Sequence, residues 1–196
     1  DAPRYLLSGG KGAVIPDGHA LGQERLIVAT DLDGNPKEAR IRLATPVTEA
    51  DLRALFEDQI QWREVCRWSS RHRRVEARQQ EMLGALVLDD RIWRDPPDEL
   101  IVAATLEGLR ELGIATLSWS GKAKRLRSRI TLVGLERDGW PDCSDAGLEA
   151  RLEAWLGPHM GGIRTAAALG KFDPYDALLG QLDWPMRQIL AREAPA

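Results

Sequence analysis

The hydrophobic pattern of the chain changes at Asp95-Pro96-Pro97 from a period of two residues to a helical period. Before this break, apolar and charged residues alternate in Ala39-Arg40-Ile41-Arg42-Leu43-Ala44. This alternation predicts a strand with Ile41 and Leu43 facing a core. After the break, apolar residues recur every three or four positions. A strand-rich half followed by a helical half predicts an α+β fold with two domains, residues 1–94 and 95–196.

The first half is predicted to be a small OB-like β-barrel. A short apolar run at residues 26–30 leads into an Asp-Gly turn and the alternating strand. Thr48 is placed to cap a short helix over residues 48–56. A hairpin then follows, with strands at 61–68 and 73–83. Four or five short strands with a helix inserted before the last pair is the layout of an OB-type barrel.

The second half is predicted to be an all-α extension. Asp98-Glu99 is placed to begin its first helix, which Gly113 ends. A second helix is predicted from Ser120 to Val133, with an apolar face of four residues, Ala123, Leu126, Ile130 and Val133. A third begins near Ser144 and ends at Gly157-Pro158. Three shorter helical pieces follow, at 165–170, 174–179 and 185–191.

The formal net charge of −3 conceals a strong segregation of charge along the chain. Residues 61–94 carry 8 basic and 5 acidic side chains, a net charge of +3. Residues 117–137 carry 6 basic and 1 acidic, a net charge of +5. The segments around them are acidic. Such local clusters, rather than the total charge, decide where a polyanion could bind.

No pattern for catalysis or metal binding emerges. The glycine-rich segment Ser8–Gly12 has Tyr5 where a Walker A loop needs its first glycine and Gly12 where it needs Ser or Thr, so it is predicted to be a turn. The 3 histidines and 2 cysteines lack the spacing of metal ligands, and no serine has the context of a nucleophile. We expect no enzymatic activity, no metal and no cofactor in this chain. No signal peptide or membrane span is evident, which predicts a soluble protein.

The first basic cluster lies on the predicted hairpin. Its candidate nucleic-acid-binding residues are Arg63, Arg67, Arg71, Arg73 and Arg74. One interpretation is that these arginines protect a sheet edge and pair with Glu64 and Glu76. The other is that they form the polyanion-facing rim of the barrel, with Trp62 or Trp68 exposed to stack on bases. The sequence leaves both open, because either tryptophan could belong to the core.

The second basic cluster lies in the first turns of the helix after Ser120. Its candidate residues are Lys122, Lys124, Arg125, Arg127 and Arg129. Cations at this end oppose the helix macrodipole, so a purely structural surface would favour acids there. Lys122, Arg125 and Arg129 fall on one side of the helix, which favours phosphate binding over a merely solvated face.

Several segments resemble the C-terminal region of HrpB-type bacterial DEAH-box helicases. They include Arg4-Tyr5-Leu6-Leu7-Ser8-Gly9-Gly10-Lys11-Gly12-Ala13, Asp31-Leu32-Asp33-Gly34, Leu117-Ser118-Trp119-Ser120 and Leu152-Glu153-Ala154-Trp155-Leu156-Gly157-Pro158. The resemblance covers nearly the whole chain. It implies an OB-fold followed by a helical extension, excised from a longer protein: the chain starts without methionine and stops short of the usual final segment.

The resemblance also implies that the parent is a cytoplasmic, ATP-dependent RNA helicase, with ATP and Mg²⁺ bound by motor domains outside this sequence. This segment would then be an accessory region that binds single-stranded RNA or DNA and packs on those motor domains. The alternative is a protein-interaction module that docks the helicase on a partner without contacting nucleic acid.

Overall fold

The computed structural model describes residues 2–35 and 37–194, and it has the predicted α+β fold. The chain divides into two compact units. The first comprises Asp1–Val65 and Arg78–Trp93, and the second comprises Cys66–Ala77 and Arg94–Ala196. The tip of the predicted hairpin therefore groups with the helices. The division into two domains, residues 1–94 and 95–196, stays a prediction.

A four-stranded sheet forms much of the first unit. Its strands are β1 (Arg4–Leu6), β2 (Gly12–Val14), β3 (Ile27–Leu32) and β4 (Ala39–Pro46), in the order β1-β2-β4-β3. β2 pairs parallel with β4, and the other two pairings are antiparallel. The glycine-rich segment is the turn between β1 and β2, as predicted, with Gly10 at a φ of 89°.

The prediction that Leu43 faces the core is wrong. Ile41 is buried, but the side chain of Leu43 is 63% exposed. The pairing of β3 with β4 shifts register on both sides of the Asp31–Leu43 pair. An extra residue in one strand of a ladder changes the face on which later side chains lie. Uniform alternation in sequence could not reveal this irregularity.

A short helix and a three-stranded sheet follow. Helix α1 (Glu49–Leu55) begins as predicted, because the Thr48 hydroxyl accepts a hydrogen bond from the Asp51 N–H at 3.1 Å. The predicted hairpin forms from β5 (Ile60–Ser69) and β6 (Arg74–Leu83), and β7 (Leu86–Ile92) pairs with β6. Sequence patterning missed β7. The described strands form two sheets and no closed barrel, so the OB-like barrel stays a prediction.

Seven α-helices form most of the second unit within the described residues. They are α2 (Asp98–Leu112), α3 (Gly121–Gly134), α4 (Asp145–Ala150), α5 (Leu152–Trp155), α6 (Ala166–Leu169), α7 (Tyr175–Gly180) and α8 (Trp184–Glu193). The predicted third helix is interrupted at Arg151, so α4 and α5 replace it. Short 3-10 turns occur at Ala20–Gln23, Glu57–Gln59, Ile114–Thr116 and Gly157–His159.

The predicted apolar face of α3 is the one that is buried in the helical unit. Ala123, Leu126, Ile130 and Val133 are all at most 4% exposed. They join a core that includes Leu106, Leu148 and Leu178 and also Trp68 from the hairpin tip. Across residues 2–35 and 37–194, none of the helices is both long enough and apolar enough to cross a membrane.

Candidate nucleic-acid interface

The tip of the β5–β6 hairpin is anchored in the helical unit by side-chain packing and by backbone hydrogen bonds. Trp68 is 6% exposed and packs in the helical core. The Val75 N–H donates to the Arg164 carbonyl at 2.8 Å, and the Ala166 N–H donates to the Arg73 carbonyl at 3.0 Å. These bonds flank an isolated antiparallel bridge between Arg74 and Thr165. The anchoring fixes the backbone from which Arg71, Arg73 and Arg74 project.

The arginines of the first cluster are all exposed: Arg63, Arg67, Arg71, Arg73 and Arg74. Arg74 Nε lies 3.8 Å from Glu76 Oε1, and the other four have no ion pair within 4.0 Å among the described residues. Arg73 has a φ of 52°, the left-handed conformation that closes the turn. Unpaired guanidinium groups on an ordered turn are suited to bind phosphate oxygens.

The carboxylates of the hairpin largely have partners other than these arginines. Glu76 Oε1 lies 2.6 Å from His72 Nδ1, and Glu64 accepts a hydrogen bond from Gln79 at 3.2 Å. The structure therefore gives little support to pairing of the cluster with Glu64 and Glu76, apart from the long Arg74–Glu76 contact. The positive charge of the tip is left available to an outside partner.

Arg164 is a candidate that the sequence analysis did not identify. It is exposed, and the Arg74–Thr165 bridge places it directly opposite Val75. Burial raises the pKa of the Cys66 thiol, and the positive charge of the nearby Arg164 opposes that rise. Arg164 lies about 90 residues from the cluster in sequence, so no local pattern could have grouped them.

The basic cluster of α3 divides into two groups. Ser120 caps the helix by accepting a hydrogen bond from the Ala123 N–H at 3.1 Å. Lys122, Lys124 and Arg125 are exposed and have no ion pair within 4.0 Å among residues 2–35 and 37–194. Arg127 and Arg129 are half-buried. Three cations of this helix are thus free to meet solvent or a ligand.

Arg127 and Arg129 bind groups of the protein itself. Arg127 donates to the Cys143 carbonyl at 2.7 Å and to Asp145 Oδ1 at 2.6 Å. Arg129 donates to the carbonyls of Ala194 and Leu190, near the end of α8. The Leu190 carbonyl also accepts from the Ala194 N–H at 3.1 Å, so within the described residues it is the Ala194 carbonyl, at the end of the helix, that relies on Arg129 for a donor. Arg129 is therefore engaged by α8 and is not available to bind phosphate together with Lys122 and Arg125, the role that we expected from the sequence.

The two candidate tryptophans have different environments. Trp68 is in the core, whereas Trp62 is 49% exposed. The guanidinium carbon of Arg91 lies 5.0 Å from the centroid of the Trp62 ring, and Arg91 also pairs with Asp89 at 2.6 Å. One face of the exposed indole is thus covered by an arginine. Of the two tryptophans, Trp62 alone has exposed ring surface for stacking.

Neither a metal centre nor a catalytic group was expected from the sequence. Among the residues that the structure describes, no group of three or more His, Cys, Asp or Glu side chains is placed to hold a metal ion. The three free cations of α3 and the arginines of the hairpin tip are the chemically distinctive features of the helical unit. Their shared property is an exposed positive charge.

Comparison with known proteins gives one curated relative. The chain is 34% identical over 197 residues to the ATP-dependent RNA helicase HrpB of Escherichia coli (strain K12). The match covers 98% of this chain and 24% of that helicase. No known family profile matches the chain. The expected resemblance to HrpB-type helicases is therefore confirmed.

Solved structures give the same result. The chain is similar to the E. coli DExH-box NTPase HrpB, with 32% identity and a TM-score of 0.51, over 99% of this chain and 24% of that one. A second structure, described as the E. coli DEAH/RHA helicase HrpB, gives 28% identity and a TM-score of 0.51 over 98% and 24%. The chain spans about a quarter of the length of each relative.

Proposed function

We propose that this chain is an accessory nucleic-acid-binding and scaffolding region of an ATP-dependent RNA helicase of the DEAH-box, HrpB-like type. Its role is to contact the backbone of single-stranded RNA and to pack on the motor domains of the same polypeptide. It would form the C-terminal region of that cytoplasmic protein, with an OB-like first domain. ATP and Mg²⁺ would bind the motor domains, and this chain would not hydrolyse ATP.

The anchored hairpin tip is the observation that carries the proposal. Its exposed arginines have, apart from the long Arg74–Glu76 contact, no carboxylate partner within 4.0 Å among the described residues. The backbone bonds of Val75 and Ala166 hold the tip in place. Arginine binds phosphate through planar, bidentate hydrogen bonds, and a fixed backbone lowers the entropy lost on binding. The site would contact phosphates and not base edges, so it is expected to bind RNA of any base sequence.

The free cations of α3 extend the proposed contact. Lys122 and Arg125 are three residues apart, and therefore neighbours on one face of the helix. Arg127 and Arg129 support this site only indirectly, because their donors already bind the protein. The proposed phosphate contacts are thus made by the hairpin arginines, by Arg164, and by the exposed cations of α3.

A direct test is fluorescence anisotropy with a labelled oligouridylate of about ten nucleotides at low salt. The Arg71→Ala/Arg73→Ala variant is expected to bind roughly tenfold more weakly than the unmodified chain. The control is Arg40→Ala/Arg42→Ala, which removes the same charge from exposed positions on β4. Equal weakening in both variants would show a general charge effect and reject the hairpin as the site.

A second candidate function is supported by exposed apolar side chains on the helical unit. Leu135 is 79% exposed and Trp184 is 72% exposed. Large exposed apolar groups are common at protein interfaces. The chain would then dock the helicase on a partner. A pull-down partner that is retained at high salt and after ribonuclease treatment, together with no RNA binding by the chain, would favour this function.

A further inference from the structure

A groove of about 910 Å³ runs along α3 in the helical unit. One wall is α3 from Lys124 onward, together with Leu135 just after the helix ends. The other consists of residues from two segments, namely Ile114, Ala115, Leu117 and Trp119 from one and Cys143–Asp145 from the other. Its lining is mainly apolar, with basic groups at the end nearer the start of α3. The groove is of a size that accommodates a drug-sized or nucleotide-sized group.

Arg127 presents a fixed cation in this groove. Its guanidinium is held by the Cys143 carbonyl at 2.7 Å and by Asp145 at 2.6 Å. Its guanidinium carbon lies 5.0 Å from the centroid of the Trp119 ring. Nucleobases stack on guanidinium planes as well as on aromatic rings. Because three contacts already hold this guanidinium, a base placed against it would cost little further ordering of the side chain.

Trp119 is also fixed in its orientation. Its indole N–H donates to the Ile114 carbonyl at 2.9 Å, so the ring's polar atom is already satisfied by the protein. The half-buried ring and the Arg127 guanidinium both line the groove. Arg127 covers one face of the ring, so a base would stack on the part of this pair that the groove leaves open. Such stacking involves no hydrogen bond that depends on the base sequence.

Lys124 supplies a charge of the right sign beside that stacking surface. It lies three residues before Arg127, one helical turn away, and it also lines the groove. It is exposed and has no ion pair within 4.0 Å in the described part of the chain. Asp145 is the one acid among the described residues of the lining, and Arg127 already pairs with it. A phosphate next to a bound base would therefore meet an unpaired ammonium.

We propose that this groove binds one nucleobase of single-stranded RNA, stacked on Trp119 and Arg127, with the adjacent phosphate on Lys124. The inference rests on the proposed function and adds a base-binding position to a contact otherwise made only to the backbone. A base in a duplex is stacked and paired, so the site selects single strands. The apolar walls admit any base, so no strong sequence preference is expected.

The test compares a labelled oligouridylate of about ten nucleotides with an abasic ribose-phosphate oligomer of the same length and charge. The unmodified chain is expected to bind the oligouridylate about tenfold more tightly, the contribution of one stacked base. In Ser128→Leu/Thr131→Leu, two exposed residues of the groove are enlarged. In the described part of the chain, each of these hydroxyls bonds only to a carbonyl of its own helix. This variant is expected to bind both oligomers equally, at the abasic affinity.

The control is Gln188→Leu/Ala191→Leu, a pair of exposed residues with the same spacing on α8. It is expected to keep the tenfold preference. Equal binding of both oligomers by the unmodified chain, or a preference that survives filling the groove, overturns the base site and leaves the proposed function standing. If neither oligomer binds, the proposed function fails, and the base site fails with it.

Discussion

A Cβ atom added to Gly108 in α2 would lie 2.2 Å from Cδ2 of Trp68. The indole of the hairpin tip therefore packs directly on the helix backbone, at a position where no side chain could fit. Gly108 and Trp68 are both buried in the helical unit. The anchoring of the hairpin tip depends on this close packing, and the proposed phosphate site depends on the anchoring.

Replacing Gly108 with alanine is expected to destabilise the chain by about 2 kcal/mol, because the methyl group would displace the indole. In an ordinary helix interior the same change would stabilise by about 0.5–1 kcal/mol. Urea denaturation followed by circular dichroism measures the difference. Gly121→Ala is the control, since its Cβ would meet no atom nearer than 3.7 Å. Stabilisation by Gly108→Ala would contradict the packing described here.

A second glycine constrains the first unit. Gly84 has a φ of 58°, and a Cβ there would lie 2.2 Å from the Ser8 carbonyl oxygen. The neighbouring Ala85 N–H donates to that same oxygen at 2.8 Å. Gly84→Ala is expected to lower the free energy of unfolding by about 2 kcal/mol or more, measured by thermal unfolding. Gly9→Ala, which meets no atom within 4 Å, should have little effect.

Much of the helical unit could be predicted from its sequence. The start of α3 and its buried face follow from local features, a capping serine and apolar residues at helical spacing. The position of Gly108 also indicates close packing, since an isolated glycine within a helical pattern often has a packing role. The strand β7 was missed, although it follows the tight turn at Gly84.

The features that could not be predicted depend on contacts between distant segments. The exposure of Leu43 follows from a register shift between β3 and β4. The proximity of Arg164 to the hairpin follows from a bridge to Arg74 across about 90 residues. The hydrogen bonds from Arg129 to carbonyls at the end of α8 depend on how α3 and α8 pack. Residue type and spacing identify a cluster of cations, but not which of them are free.

Two arginines of α3 are expected to respond in opposite ways to substitution. Arg129→Ala should lower the free energy of unfolding by about 2 kcal/mol, because it removes the Arg129 donor from the buried Ala194 carbonyl, whereas the Leu190 carbonyl keeps the Ala194 N–H. Arg125 is exposed and has no ion pair with any described residue, so Arg125→Ala should change stability by less than about 0.5 kcal/mol but weaken RNA binding. Urea denaturation and anisotropy separate these effects. A large loss of stability in Arg125→Ala, with none in Arg129→Ala, would contradict the division of the α3 cations into free and protein-bound groups.

The end of α8 is expected to lose stability in acid. Hydrogen bonds from Arg137 and Arg192 lower the pKa of Glu193 from an ordinary value of 4.5 to about 2. A carboxyl whose pKa is lower in the folded state stabilises the fold above its unfolded pKa, and this contribution is lost as pH falls from about 4.5 to about 2. Carboxyl-detected NMR titration of Glu193 measures the folded value.

In Arg137→Ala the Glu193 pKa should return toward 4.5, because Arg137 provides its largest interaction. Arg192→Ala, which removes the smaller interaction, should raise the pKa less. An unchanged titration of Glu193 in Arg137→Ala would show that the ion pair between them is absent in solution.

The central claim, that the anchored hairpin tip binds the phosphate backbone, is tested most directly by the salt dependence of RNA affinity. For single strands, the logarithm of the binding constant falls by roughly 0.7 per phosphate contact for each unit of log salt concentration. Arg71→Ala/Arg73→Ala is predicted to make this slope shallower by about 1.4, whereas Arg40→Ala/Arg42→Ala leaves it unchanged. A slope that is the same in the hairpin variant and the unmodified chain would contradict the account.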